Sequence, residues 1–167
     1  MYKFFKNPET LEDLKAQYKT LAKKHHPDCG GRTEDMQEVN AEFEKLFNLL
    51  KNTHRNAKGE KYTSNTETTE TAEQFKTIIE QLINLEGVEI EICGSWIWLT
   101  GNTKEHKEAI KALKFRWSKK KLAWYYHEGE FKKMGKRSLS LDEIRNLYGS
   151  EKVERPNPDN NKPILEH

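Results

Sequence analysis

The eleven residues LAKKHHPDCGG, Leu21 to Gly31, place two imidazoles, a carboxylate and a thiol between a pair of lysines and a pair of glycines. Three chemistries use such groups. A structural zinc site needs four ligands, usually as two spaced pairs. His25, His26 and Cys29 would supply three, and no second pair lies nearby, so the pattern assigns no metal. A base built from His26 and Asp28 would need a nucleophile and an oxyanion site in a pocket that excludes water, which a loop between two short helices does not promise. The third chemistry is display. Pro27 is rigid and fixes the directions of the flanking His26 and Asp28 side chains on an exposed corner. An ionised aspartate only accepts hydrogen bonds and pairs best with an arginine on a partner. Taken alone, a His-Pro-Asp tripeptide is no more than a turn that ends a helix.

The elements around this corner sharpen the choice. Leu11, Leu14, Tyr18, Leu21 and Ala22 fall at helical spacing between Asn7 and Lys24, with Pro8 near the start, where its missing N–H costs nothing. Lys15, Lys19 and Lys23 repeat every four residues beside that apolar stripe and predict a basic, solvent-facing ridge. Pro27 turns His26 away from helical geometry, and Gly30 and Gly31 let the chain reverse. A second helix follows from Thr33 to about Lys51, with Met36, Val39, Phe43, Leu46, Phe47 and Leu50 on one face. The pair predicts an antiparallel helical hairpin over residues 1–52.

Over Leu11–Phe47 the sequence resembles the J-domain family, the DnaJ-like co-chaperones. The match consists of the basic helix with Tyr18, the His26-Pro27-Asp28 motif, and a following helix with Met36, Val39 and Phe43 at core-facing positions. The chain is pared down beside that family: MYKFFKN stands where a fuller first helix is usual, and Cys29 follows the motif where a basic residue is common. No glycine/phenylalanine-rich region or CxxCxGxG repeat is present. The resemblance implies docking on the ATPase domain and linker of a DnaK-type (heat shock protein 70 family) chaperone, which then hydrolyses ATP faster. By the same resemblance Lys15, Tyr18, Lys19, Lys23 and Lys24 join His26, Pro27 and Asp28 in the chaperone-binding set, the lysines by electrostatic attraction.

Residues 53–71 have almost no apolar content and no period, and read as a flexible linker spanning roughly 25 Å on average. A small α+β domain is expected over residues 72–149. Phe75, Ile78, Ile79, Leu82 and Ile83 mark a helix ended by Gly87; VEIEICGSWIWLTG alternates as a hairpin about Gly94-Ser95. A helix from Thr103 to about Leu113, a second hairpin in KFRWSKKKLAWYYH and a short helix capped by Ser140 and Glu143 complete it. Residues 150–167 read as a disordered tail, whose final Leu165-Glu166-His167 has the form of a vector-encoded tag. The fold class is therefore α+β.

Charge is unevenly placed. From Asn102 to Arg137 ten Lys and two Arg stand against four Glu, a net +8; from Glu60 to Gly101 eight Glu stand against two Lys, a net −6. Arg116, Lys119, Lys120 and Lys121 interleave with Trp117, Trp124 and Tyr125, a mixture that suits single-stranded nucleic acid through stacking and phosphate contacts. The segment is also loosely similar to a small module of mobile-element DNA-processing proteins. An alternating strand buries every second residue, so Phe115, Trp117, Trp124 and Tyr126 fit packing equally well. A groove for an unfolded client protein, lined by Trp96 and Trp98, is a third possibility.

Cys29 and Cys93 show no disulfide-framework spacing, MYKFFKN has no apolar signal region, and no run approaches ~18 apolar residues. A cytoplasmic chain without a membrane span is expected. No Walker loop, nucleophile elbow or dinucleotide fingerprint occurs, so neither an enzyme nor a cofactor is expected.

Overall fold

A computed structural model describes residues 2–55, 58–64, 70–93, 96–127, 140–148 and 151–152. It is a mixed α and β structure. Helix α1 (Leu11–His25) is capped by the Thr10 hydroxyl, which accepts from the Asp13 amide. A 3-10 turn (Pro27–Cys29) leads to α2 (Thr33–Leu50). The two helices run antiparallel, with Tyr18 against Phe43 at a ring separation of 4.2 Å. The chain continues through strands β1 (Thr53–Arg55) and β2 (Lys61–Thr63), helix α3 (Ala72–Ile83), and strands β3 (Val88–Cys93) and β4 (Trp96–Gly101). Helix α4 (Lys107–Ala112), strands β5 (Arg116–Ser118) and β6 (Ala123–His127), helix α5 (Leu141–Tyr148) and strand β7 (Glu151–Lys152) follow. Thr71 and Gln74 form a reciprocal capping box at the start of α3, and Ser140 and Glu143 form one at the start of α5.

The larger sheet has the order β5-β6-β4-β3-β7, every pairing antiparallel. Side chains alternate across it. Ile92, Ile97, Leu99 and Trp124 lie on an inner face packed against the helices, and α5 packs Leu141 and Ile144 on the outer face against Cys93, Trp98 and Ala123.

Three expectations are corrected. Residues 53–71, expected as a flexible linker, contain a two-stranded hairpin, Thr53 opposite Thr63 and Arg55 opposite Lys61. It is fastened to α1, His54 Nδ1 lying 2.8 Å from Glu12 Oε1 and Arg55 donating to Asp13 Oδ2 at 3.1 Å. A polar strand needs no apolar period when charged partners on a helix fix it. The expected tail yields Glu151 and Lys152 as strand β7, paired with Ile92 and Glu91. The rest of that tail, the Gly94-Ser95 turn and residues 65–69 lie outside the described residues. Lastly, the units expected at 1–52 and 72–149 share one hydrophobic cluster. Phe43 stacks on Phe75 at 5.6 Å, and the cluster runs from Phe5 and Leu14 through Ile79 to Leu99 and Trp124. A two-helix hairpin has too little apolar surface to close a core alone, and α3 supplies the third wall.

Candidate functional site

The corner at Pro27 is assembled by backbone bonds. His26 N donates to Ala22 O at 2.8 Å and closes α1; Cys29 N and Gly31 N both donate to His26 O at 2.9 Å. Gly30 takes the left-handed conformation (φ 86°), and a Cβ on Gly31 would stand 2.1 Å from the His25 carbonyl, so no side chain fits there. Within this frame His26 caps the 3-10 turn, its Nδ1 accepting from Asp28 N at 3.2 Å. The same ring nitrogen lies 3.6 Å from Asp28 Oδ2, with the His26 side chain 15% exposed and that of Asp28 64% exposed. The expectation that both tips point outward is corrected for His26. Its ring turns back to cap the turn, and the displayed groups are Pro27 and the Asp28 carboxylate. Asn84, just past α3, donates to Asp28 Oδ2 at 3.2 Å.

The lysine ridge is only partly open. Lys23 is half-buried and Lys24 exposed. Lys15 and Lys19 are 1% and 3% exposed, which corrects their solvent-facing assignment. Lys15 Nζ is ion-paired and hydrogen-bonded to Glu70, itself buried, and lies 5.1 Å over the Phe75 ring. Lys19 Nζ donates to the Ile90 carbonyl of β3 at 2.5 Å. Four-residue spacing places these cations on one helix face; what covers that face comes from more than fifty residues downstream. Tyr18 is likewise a core residue, fully buried, with its hydroxyl donating to Asn40 Oδ1 at 2.8 Å. Burial and the surrounding carboxylates of Glu80, Glu73 and Glu44 push its phenol pKa up.

In the second half the expected nucleic-acid set divides between two faces. Trp117 pairs with Trp124 in register, and both belong to the inner face, Trp124 in the core and Trp117 43% exposed at the edge. Arg116 and Tyr125 pair on the outer face. Lys119 and Lys120 are exposed in the β5–β6 loop, and Lys121 reaches over Trp98, 5.7 Å from its ring centre. The outer face gathers Trp96, Trp98, Tyr125 and His127, with ring separations of 4.5–5.9 Å. Strand parity, applied to β4 as well as to β6, identifies that set; the lysine run draws attention instead to the hairpin beside it. Buried Glu91 on this face accepts two bonds from Arg145 of α5, at 2.6 and 2.7 Å.

Among the described residues no group of three or more His, Cys, Asp or Glu side chains could hold a metal ion, and no helix is long and apolar enough to cross a membrane. Comparison with models of known families, with curated proteins and with solved structures finds no match to this chain.

Proposed function

We propose that the chain is a J-domain-type co-chaperone, which docks on a DnaK-type ATPase through the corner between α1 and α2, accelerates its ATP hydrolysis and performs no catalysis of its own. The observation that carries this reading is the His-Pro-Asp turn. It joins two antiparallel amphipathic helices, holds Pro27 and the Asp28 carboxylate outward, and stands beside the exposed Lys24. An ionised carboxylate held by a backbone-bonded turn is pre-organised for an arginine on a partner. In a steady-state ATPase assay with a bacterial DnaK-type chaperone, Asp28→Asn is expected to abolish stimulation while leaving the circular dichroism spectrum unchanged. Stimulation equal to that of the wild type rules the reading out.

A second reading rests on the outer sheet face, where half-buried Tyr125 pairs with Arg116 and Lys121 reaches over Trp98, which is itself in ring contact with half-buried Trp96. Aromatic platforms beside cations suit single-stranded nucleic acid, and the second half would then deliver the chaperone to a nucleoprotein complex. Oligonucleotide binding that weakens with salt and with Arg116→Ala or Trp96→Ala is expected. Absence of binding at low salt removes this reading.

A further inference from the structure

We infer that the second half of the chain locks its own chaperone-docking face shut, an inference that rests on the co-chaperone reading above. Three contacts converge on that face from three separate places. Glu70, ahead of α3, is paired with Lys15. The Ile90 carbonyl, on β3, holds Lys19. Asn84, after α3, holds the Asp28 carboxylate. Each takes a group that an incoming partner would need, and the first two cover theirs almost completely, leaving Lys15 1% and Lys19 3% exposed.

The charge distribution explains why the chain's own segment fits there. A partner drawn to a lysine ridge must be acidic, and residues 60–101 carry eight Glu against two Lys. The segment that lies on α1 thus has the sign of the partner it displaces. Packing extends the substitution from charge to shape: Phe75 of α3 sits against both Tyr18 (6.0 Å) and Phe43 (5.6 Å). A chaperone that needs Lys15 and Lys19 meets only the fraction of molecules in which the Glu70 and Ile90 contacts have let these side chains go while the shared core stays closed, so its apparent affinity falls in proportion to that fraction. Weakening any latch raises that fraction, and with it the apparent affinity.

The test uses the full chain. Glu70→Gln removes the carboxylate paired directly with the buried Lys15 ammonium, which favours opening; Asn84→Ala frees Asp28 at an exposed position. In titrations of a DnaK-type ATPase both variants are expected to reach half-maximal stimulation at a concentration at least threefold below the wild type. Asp28→Asn in the Glu70→Gln background is expected to remove the stimulation. In parallel, a pulse of acetic anhydride read by mass spectrometry is expected to modify Lys15 and Lys19 of the wild type at least tenfold more slowly than Lys24. Glu70→Gln should narrow that gap. If wild type, Glu70→Gln and Asn84→Ala stimulate at equal concentrations and all depend on Asp28, the lock is overturned and the co-chaperone reading stands. If none stimulates, both fall. Should Glu70→Gln lose its helical signal, Asn84→Ala and the wild-type labelling decide, and labelling of Lys15 at the rate of Lys24 overturns the lock.

Discussion

Cys29 and Cys93 differ by environment alone. Cys29 is exposed on the 3-10 turn, whereas Cys93 is buried, and burial together with the charge of Glu91 pushes its thiol pKa up to about 12. Only the thiolate is nucleophilic. At pH 8 an aromatic disulfide reagent is therefore expected to modify one thiol per native chain, at Cys29, and the second only after denaturant is added; two reactive thiols under native conditions contradict this. A second residue gives the hairpin a pH dependence. Burial alone would raise the Glu12 carboxyl, but the hydrogen bond with His54, a backbone bond and the charges of His54 and Lys15 outweigh it, leaving its pKa below the ordinary 4.5. A carboxyl depressed in the folded state stabilises it above its unfolded pKa, and that contribution is lost as pH falls through the folded value. The urea midpoint of Glu12→Gln should lie below the wild type at pH 7, and the difference should shrink as pH falls below about 4.5. An equal difference at pH 7 and pH 3 counts against the contact.

At the scale of elements, what was legible followed period. The apolar stripes of α1 and α2, the strict alternation of Val88 to Ile92 and the Ser140–Glu143 capping pair all emerge as drawn from the sequence. Period says which residues share a face but not what lies on it, which is why Lys15 and Lys19 read as a solvated ridge while Glu70 and the Ile90 carbonyl cover them. For the same reason Trp124 sits in the core and Trp96 on the outer face, though both are tryptophans of alternating strands. Among the described glycines, Gly31 in the turn between α1 and α2 leaves the least room for a side chain. Gly31→Ala would press a methyl group onto the His25 carbonyl and is expected to cost roughly 1–3 kcal/mol of overpacking, measured as a lowered urea midpoint. A midpoint within error of the wild type would mean that the loop relaxes freely.

For the whole molecule, composition misled. An apolar content of 34% fits two small cores, yet Phe43, Tyr18 and Phe75 join the halves into one. The polar run between them hides the union because β1 is held by charged contacts with α1. All four tryptophans fall between Trp96 and Trp124, whereas α1 and α2 precede them. Tryptophan fluorescence thus reports the second half and far-ultraviolet circular dichroism is weighted to the helices. One shared core predicts coincident transitions by the two probes. Phe75→Ala, which empties the junction, should shift both curves together by about 3–5 kcal/mol. Separate midpoints in the wild type would restore the picture of two independent domains.

The Arg145–Glu91 clasp and the two-residue strand after it decide where this gene can be shortened. A product ending before Ser140 would strand the nearly inaccessible carboxylate of Glu91 with no guanidinium opposite, and would lay bare the margin of β3 that Glu151 and Lys152 now occupy. Such a fragment is set to clump through that open margin, so loss of function on trimming the carboxyl end would report damage to the sheet rather than removal of a binding segment.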